Sequence, residues 1–520
     1  MIRLFNSMSQ RKEEFTPRTP GRVGIYCCGP TVYGLVHIGN ARPYVTFAVL
    51  RSWLQYRGLD VTLVENITDV DDKIINRAKE EKRAADDVAE EFTRAYHDDM
   101  GRLGSRLAPD NEPKATETIA EIIDLCCTLI SRGHAYEAGS SVYFSVRSFA
   151  AYGKLSGQRI EQLEEGVRIV NEPGKRDPLD FAIWKAAKRG EPAWDSPWGK
   201  GRPGWHIECS AMGLRFLGQG FDIHGGGRDL IFPHHENEIA QSEAAGLAFA
   251  RIWMHNGMIR SEGQKMAKSI GNIFLLREVL DLYADAAHGD APVVLTYFLT
   301  THYRSPLEFS TDKLDEAKAQ YERLAGFVRD VDFRTARADS AAETGEVSEL
   351  RARIDDARRR FAEHMDDDLN TAGALGELFS LVGEVYRYVT RVDAGQVPLD
   401  ATALCTARAE VAELAGILLI RLPDPEEVEE TAAEDAAACA TGDLALPAAR
   451  KLAEDGRWGD VEFLYRERLE CSDPTYAVVL RDHYRTEKNW AKSDQLRDEL
   501  QEAGFEVRDT KLGTQVVPRG

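Results

Sequence analysis

GWHIECSAMGLRFLGQGFDIHGGGRDLIFPHHENEIAQ, residues 204–241, gathers one cysteine, four histidines and several carboxylates into about ten helical turns of chain. Pro233 suits the first position of a helix, which would set His234 and Glu238 at i and i+4 on one face. Cys209 lies upstream between Glu208 and Ser210, neighbours that argue against plain core. A thiolate, an imidazole and a carboxylate are ligands that zinc accepts, and a fourth could come from elsewhere in the chain. A plainer reading stands beside this one. His234 and His235 could be a solvent-facing helix start and Cys209 a small buried hydrophobe, since the spacing matches no standard zinc finger.

Upstream, Val23 to Tyr26 reads as a strand, and Ala41 to Tyr56 has helical periodicity. His37-Ile38-Gly39-Asn40 then falls at a helix N-terminus, where free backbone N–H groups favour phosphate. Gly39 would admit a nucleotide close to the backbone, and His37 and Asn40 could donate to its oxygens; a bare helix cap has the same look. VTLVENITDVDDKII follows as strand and turn, then helical stretches over Arg77–Leu103 and Ala115–Arg132, and a β-rich piece, YFSVRSFAAYGKLSG. Glu161 to Lys200 is turn-rich, as an insertion over a site would be, and Trp184, Trp194 and Trp198 read as a packed aromatic cluster. Downstream, the strand RIWMHNGMI leads to RSEGQKMAKSIGN, where Gly263 and Gly271 bracket a loop carrying Lys265 and Lys268. Two ammonium groups on such a loop can close over a triphosphate; two solvated lysines on a turn are the bland alternative.

The chain has 520 residues, enough for about three domains. No apolar run reaches the roughly 18 residues that a membrane span needs, and MIRLFNSMSQRKEEF lacks the apolar stretch of a signal peptide. Eight cysteines, with two adjacent pairs, do not form a disulfide framework in so long a chain, so a reducing cytoplasm is expected. A net charge of −21 argues against broad, non-specific nucleic-acid binding but leaves room for a shaped RNA site.

Taken in order, CCGPTVY…HIGNAR, NITDVDDKI, GRPGWHIECSAM, FDIHGGGRDLIFPHHENEIAQSE, HNGMI and GQKMAKSIGN closely resemble the cysteinyl-tRNA synthetase family. The likeness covers nearly the whole chain, and HIGNAR and KMAKS correspond to the class I signatures usually written HIGH and KMSKS. It implies an α/β fold: a Rossmann-type parallel-sheet catalytic domain over residues 1–310 with an insertion at about 110–200. A helical bundle over 311–422, an acidic linker and connecting segment over 423–470, and a small α+β anticodon-binding module over 471–520 would follow. The implied activity is ATP-dependent conversion of L-cysteine to cysteinyl-adenylate, with Mg2+, and transfer of the cysteinyl group to tRNA(Cys), by a cytoplasmic monomer.

The resemblance also assigns residues. One Zn2+ per subunit would be held by Cys28, Cys209, His234 and Glu238 and would take the cysteine thiolate, a selection that an apolar pocket makes poorly. His37, Asn40, Lys265 and Lys268 would carry ATP and catalysis, with Pro30, Thr31, Gly39 and Gly225, Gly226 and Gly227 along the nucleotide. Thr31, Trp205, His224 and Asp229 would line the amino-acid pocket. Arg485, Trp490, Asp494, Arg497 and Asp509 match anticodon contacts, a mixture of stacking and edge-reading groups. Asn40 stands where the signature has its second His, and Ala267 where it has Ser; the amide still donates hydrogen bonds. ADAAHGDAPVV looks like a local insertion. MDDDLNT resembles the turn into the helical domain, and Asp424 to Asp435 reads as a solvated linker. The mycothiol-pathway cysteine ligases share the adenylation chemistry but end before an anticodon module, which the tail RDHYRTEKNWAKSDQLRDEL argues against. A non-catalytic tRNA- or zinc-binding paralogue is opposed by intact His37, Asn40, Lys265 and Lys268.

Overall fold

A computed structural model describes residues 1–160, 174–261, 264–265, 274–283, 291–335, 345–423, 480–481, 483–485, 488–502, 505–510 and 513–518. Ala267, Lys268, most of ADAAHGDAPVV and the run from Asp424 to Asp435 lie outside them. The chain divides into two units, Met1–Leu422 and Pro423–Gly520.

The first unit opens with an antiparallel hairpin, β1 (Arg3–Asn6) and β2 (Arg11–Glu14). Strand β3 (Arg22–Cys27), helix α1 (Ile38–Tyr56) and strand β4 (Asp60–Glu65) then form a parallel β-α-β unit, with Val23 opposite Val61 and Ile25 opposite Leu63. The inner residues of both strands are buried nearly in succession, as in a sheet covered on both faces. Helix α1 starts at Ile38, three residues ahead of the expected Ala41, so the HIGN residues belong to its first turn. The helical stretch expected over Arg77–Leu103 is two helices, α2 (Asp72–Glu81) and α3 (Ala85–Leu103). Lys82, left-handed at φ 55°, ends the first of them.

Helix α4 (Ile119–Ser131) precedes an antiparallel sheet of β5 (Ala135–Ala138), β6 (Ser141–Phe144), β7 (Phe181–Ala186) and β8 (Gly201–Pro203), ordered as numbered. The expected β-rich piece is strand only to Phe144. Beyond it the backbone N–H of Val146 goes to Asp180, and those of Gly153, Leu155 and Ser156 go to the Glu236 carboxylate, so no strand partner is needed. Trp184 and Trp198 meet edge to face at 6.1 Å with Trp194 packed alongside, the aromatic cluster expected.

Helix α5 (Trp205–Leu217) has two apolar faces. Ile207 and Ala211 join the cluster of α4 and the insertion sheet, while Cys209 and Met212 join Tyr26, Val64 and Phe221 at the end of the parallel sheet. Strand β9 (Ile223–Gly227), helix α6 (Glu236–Ala244) and strand β10 (Ile252–Asn256) complete that sheet, whose order is β10-β9-β3-β4 with every pairing parallel. Chain order reverses between β9 and β3, and ligands of open α/β sheets bind beyond the strand ends at such a point. Helix α6 begins at Glu236, so Pro233 is not its first residue. Pro233 and His234 lie in a separate turn, Ile231–His235, in which Phe232 is extended.

Strand β11 (Ile259–Ser261) pairs with β12 (Gln264–Lys265) and β13 (Leu307–Phe309). The helices α7 (Leu276–Tyr283), α8 (Pro292–Leu299), α9 (Thr311–Thr335), α10 (Gly345–Asp366), α11 (Thr371–Asp393) and α12 (Ala401–Ile417) follow. The apolar cluster of the sheet continues into these helices, running from Leu4 through Trp53 to Phe361 and Ile420. At the turn between α10 and α11, buried Asp368 accepts hydrogen bonds from the Phe5 N–H, the Tyr303 hydroxyl and Arg304. The second unit contains helix α13 (Trp490–Glu502) and the hairpin β14 (Phe505–Thr510) and β15 (Gly513–Pro518). Among the described residues, no helix is long and apolar enough to cross a membrane.

Glu65 closes β4 inside this core. Burial foremost, then the neighbouring Glu112, push its carboxyl up to about 8, against the pull of Arg51. The folded chain thus keeps a proton that the unfolded chain gives up near the ordinary value of 4.5. The stability tied to that proton is complete below the unfolded value and is lost as pH rises towards 8. Glu65→Gln should therefore gain melting temperature relative to the parent on going from about pH 5 to about pH 8. A difference in melting temperature that stays constant across that range counts against the assignment.

Candidate active site

Cys28 follows β3, Cys209 lies in the second turn of α5, His234 precedes α6 and Glu238 lies inside it. Their ligand atoms all come within 4.8 Å of one another, and all four residues are buried. The two sulfurs are 3.9 Å apart, Cys28 Sγ is 3.6 Å from Glu238 Oε1, and His234 Nε2 is 3.0 Å from the same oxygen. Metal bonds of ordinary length to sulfur, nitrogen and oxygen give tetrahedral edges of about 3.8 Å for S–S, ~3.5 Å for S–O and ~3.3 Å for N–O. The four donors therefore fit a small cation without rearrangement. Burial pushes the Cys28 thiol and the Glu238 carboxyl well up from their ordinary values, so these two groups stay protonated unless a positive charge enters.

A second group, Cys28, His224, His235 and Glu238, also meets within 4.8 Å. His224 Nε2 lies only 2.6 Å from Glu238 Oε2, too close for two ligands of one ion and right for a hydrogen bond. His224 therefore orients the carboxylate. It is fully buried, with Trp253 stacked on it at 4.5 Å, rather than facing an open pocket. His234 is held by its other nitrogen, whose partner is His206 Nδ1 at 2.8 Å, and Trp205 stacks on its ring at 4.3 Å. Desolvation keeps these rings neutral, with His206 and His224 lowered to about 3.

Asn66 links the loop after β3, which carries Cys28, to the Cys209 thiol on α5. Its Oδ1 accepts from the Gly29 N–H at 2.9 Å and the Tyr26 hydroxyl at 3.1 Å, and Cys209 Sγ is 3.6 Å away. Its Nδ2 donates to Thr68, whose hydroxyl reaches Glu208. Pro30 and Thr31 lie along the same seam, through the Thr68 N–H to Pro30 C=O bond and the Thr31–Thr68 bridge.

At the start of α1 the Asn40 Oδ1 accepts from the His37 N–H at 3.1 Å, which leaves its Nδ2 as the donor facing outward; Asn40 is exposed and His37 half-buried. A Cβ on Gly39 would lie 2.9 Å from the His37 ring, so the bare residue lets that ring fold over the helix end. Gly225 is packed against α1. A Cβ there would sit 2.0 Å from Cζ of Phe47 on α1, so its bareness serves helix-on-sheet packing, and Gly226 is crowded by Leu230 and His235 in the same way. Gly227 ends β9 beside exposed Asp229. Lys265 pairs through its backbone with Arg260; its side chain and all of Lys268 lie outside the described residues. In the second unit Trp490 is 57% exposed, Asp494 and Arg497 pair at 3.1 Å, and Asp509 sits opposite Thr514 in the hairpin. Arg485 is half-buried.

Three family models match this chain: the class I (C) tRNA synthetase catalytic domain over residues 14–319, the DALR domain over 360–422, and the cysteinyl-tRNA ligase anticodon binding domain over 480–516. Cysteine–tRNA ligase of Thermodesulfovibrio yellowstonii is 42% identical over 98% of both chains, and that of Halorhodospira halophila 45% identical over 99% of both. The chain belongs to the cysteine–tRNA ligase family. As such a ligase it is a class I aminoacyl-tRNA synthetase that charges tRNA with cysteine. The catalytic fold recurs in the Mycobacterium tuberculosis methionyl-tRNA synthetase bound to methionyl-adenylate, with a TM-score of 0.58 at 14% identity over 76% of this chain and 89% of that one. The Agrobacterium radiobacter LeuRS–tRNA–LeuAMS complex gives 0.57 at 12% identity, over 78% and 85%. In this ligase, sequence reasoning passed over Ser7, Tyr26, Asn66, Thr68, His206 and His255. Asn66 and Thr68 were within reach, since both sit in NITDVDDKI; Ser7 carries no local signal.

The seam beside Cys28 can be tested through Gly29, where a Cβ would lie 1.6 Å from the Asn66 carbonyl oxygen. Gly29→Ala should lower the melting temperature by several degrees and weaken metal binding, because the clash is with backbone. Gly101→Ala, inside α3 with nothing within 4 Å, should raise stability by up to about 1 kcal/mol. Melting curves that rank the two variants the other way would refute the crowding argument.

Proposed function

We propose that Cys28, Cys209, His234 and Glu238 hold one zinc ion, which selects cysteine, and that His37, Asn40, Lys265 and Lys268 bring ATP to the bound amino acid. The observation that carries the first half is the donor set: two sulfurs, a nitrogen and an oxygen, enclosed, at the separations of a tetrahedral shell. When bound, the ion is a Lewis acid that accepts a thiolate readily and a protonated serine hydroxyl poorly. The donors of the chain are held for that purpose. His206 and His224 fix His234 and Glu238 from behind, and Trp205, half-exposed over His234, walls the amino-acid pocket. Thr31 would line the pocket, and Asp229, exposed in the turn after β9, would accept from the substrate amino group.

At the N-terminus of α1, His37 and the outward amide of Asn40 orient the triphosphate with the helix's free N–H groups, Mg2+ accompanying ATP. The cysteine carboxylate oxygen attacks the α-phosphorus, pyrophosphate leaves, and Lys265 and Lys268 stabilise the charge that builds on the phosphate oxygens. The tRNA 3′-end hydroxyl then attacks the carbonyl carbon and AMP departs. Gly225, Gly226 and Gly227 line this crevice through backbone groups. In the second unit the exposed Trp490 supports a base-stacking role, beside Arg485, Asp494, Arg497 and Asp509. We retain the layout of residues 1–310, 311–422, 423–470 and 471–520, a monomeric state, and a reducing cytoplasm, in keeping with the free cysteines among the described residues.

Metal analysis and pyrophosphate exchange test the two halves separately. The parent chain should carry one zinc and exchange with cysteine far faster than with serine, and Cys209→Ser should lose the metal; full occupancy in that variant refutes the ligand set. Lys268→Ala should slow single-turnover adenylate formation by orders of magnitude while cysteine still binds, because the ammonium acts mainly in the transition state. A collapse of cysteine binding with activation intact would reassign Lys268 to the amino-acid pocket.

A further inference from the structure

Four groups from separate parts of the chain form one line of hydrogen bonds that ends on Cys28. Ser7 Oγ lies 2.8 Å from His255 Nδ1, His255 Nε2 lies 2.8 Å from His235 Nδ1, and His235 Nε2 lies 3.4 Å from Cys28 Sγ. Ser7, His235, His255 and Cys28 are all buried. Ser7 sits in the turn after β1, where its own N–H donates to the Trp253 carbonyl on β10 and the Trp253 N–H donates to the neighbouring Asn6 Oδ1. Nothing in the roles assigned so far requires this line.

A neutral imidazole has one N–H and one lone pair, so fixing the direction of one bond fixes the others. If Cys28 serves as a thiolate ligand it can only accept. His235 must then donate from Nε2 and accept at Nδ1, His255 must donate from Nε2 and accept at Nδ1, and the hydrogen that His255 accepts must come from the Ser7 hydroxyl. His235 is not itself a fifth ligand, for its nitrogens group with Cys28 and Glu238 but not with Cys209 and His234.

Building on the zinc reading, we infer that Ser7 and His255 are positioning residues that hold His235 as an N–H donor to the Cys28 sulfur. Such a donor lowers the charge on that sulfur and leaves the cation more receptive to a further thiolate, that of the amino acid. The first turn of the chain is thereby part of the cysteine-selecting device, 21 positions before the first ligand by the sequence numbering.

The test uses the full chain loaded with Co2+ in place of zinc, together with chelator competition for Zn2+. Ser7→Ala should move the thiolate-to-cobalt charge-transfer band to longer wavelength, since an unbonded sulfur gives up electron density more easily. It should also weaken zinc, and His255→Phe should do so on the order of tenfold, as loss of an outer partner does. Ser7→Thr, which keeps the hydroxyl, should restore both readouts. A folded Ser7→Ala with the parent's band and affinity overturns the inference, as does a His255→Phe that changes neither. A parent chain that takes up no metal overturns the zinc reading, and this inference with it.

Discussion

Two thiols, an imidazole and a carboxyl share one buried enclosure, and an ion placed there without a counter-charge costs several kcal/mol. Burial alone drives Cys28 and Glu238 towards their neutral forms. Everything around them works to keep that mismatch in place. Asn66 holds the loop after β3 against the Cys209 thiol, His224 occupies one carboxylate oxygen, and His206 occupies one nitrogen of His234. An enclosure so arranged is poised for a single small cation.

The same enclosure explains where reading residues in order succeeded and where it stopped. The strands around Ile25 and Leu63 and the body of the helix beyond Ala41 follow from local apolar patterning, whereas the grouping of residues 28, 209, 234 and 238 rests on the family resemblance of the motifs that carry them, the spacing alone leaving a plainer reading open. What the pattern could not reveal depends on contacts between distant residues. Glu236 caps a loop 83 to 80 residues upstream, which removes the expected strand beyond Phe144. Phe47 packs where a side chain on Gly225 would stand, a contact with a helix far upstream. The break at Lys82 and the late start of α6 are backbone choices that helical periodicity does not register. The imidazole line from Ser7 spans 248 positions in a single hydrogen bond, and no window of sequence holds both ends.

The helical segment after residue 310 shows a related dependence. Its charged surface reads as an amphipathic bundle, yet its apolar side is continuous with the α/β core, Trp53 meeting Phe361 at 6.2 Å. Asp368 adds a polar joint at the same place by tying β1 to the turn between α10 and α11. The bundle therefore stands on the hairpin that also bears Ser7.

Helix α5 begins two residues after the last strand of the insertion and belongs to the apolar clusters on both of its sides. Shared ownership of that helix limits how such a protein can be recombined. A graft that exchanges the insertion for that of a relative and rejoins the chain at Gly204 keeps Cys209 but repacks Ile207 and Ala211, which lie within two residues of it. A graft that carries α5 along brings a foreign cysteine to the Asn66 seam. The insertion is thus an interruption that cannot be inherited as a cassette, and its history is bound to that of the residue that follows it.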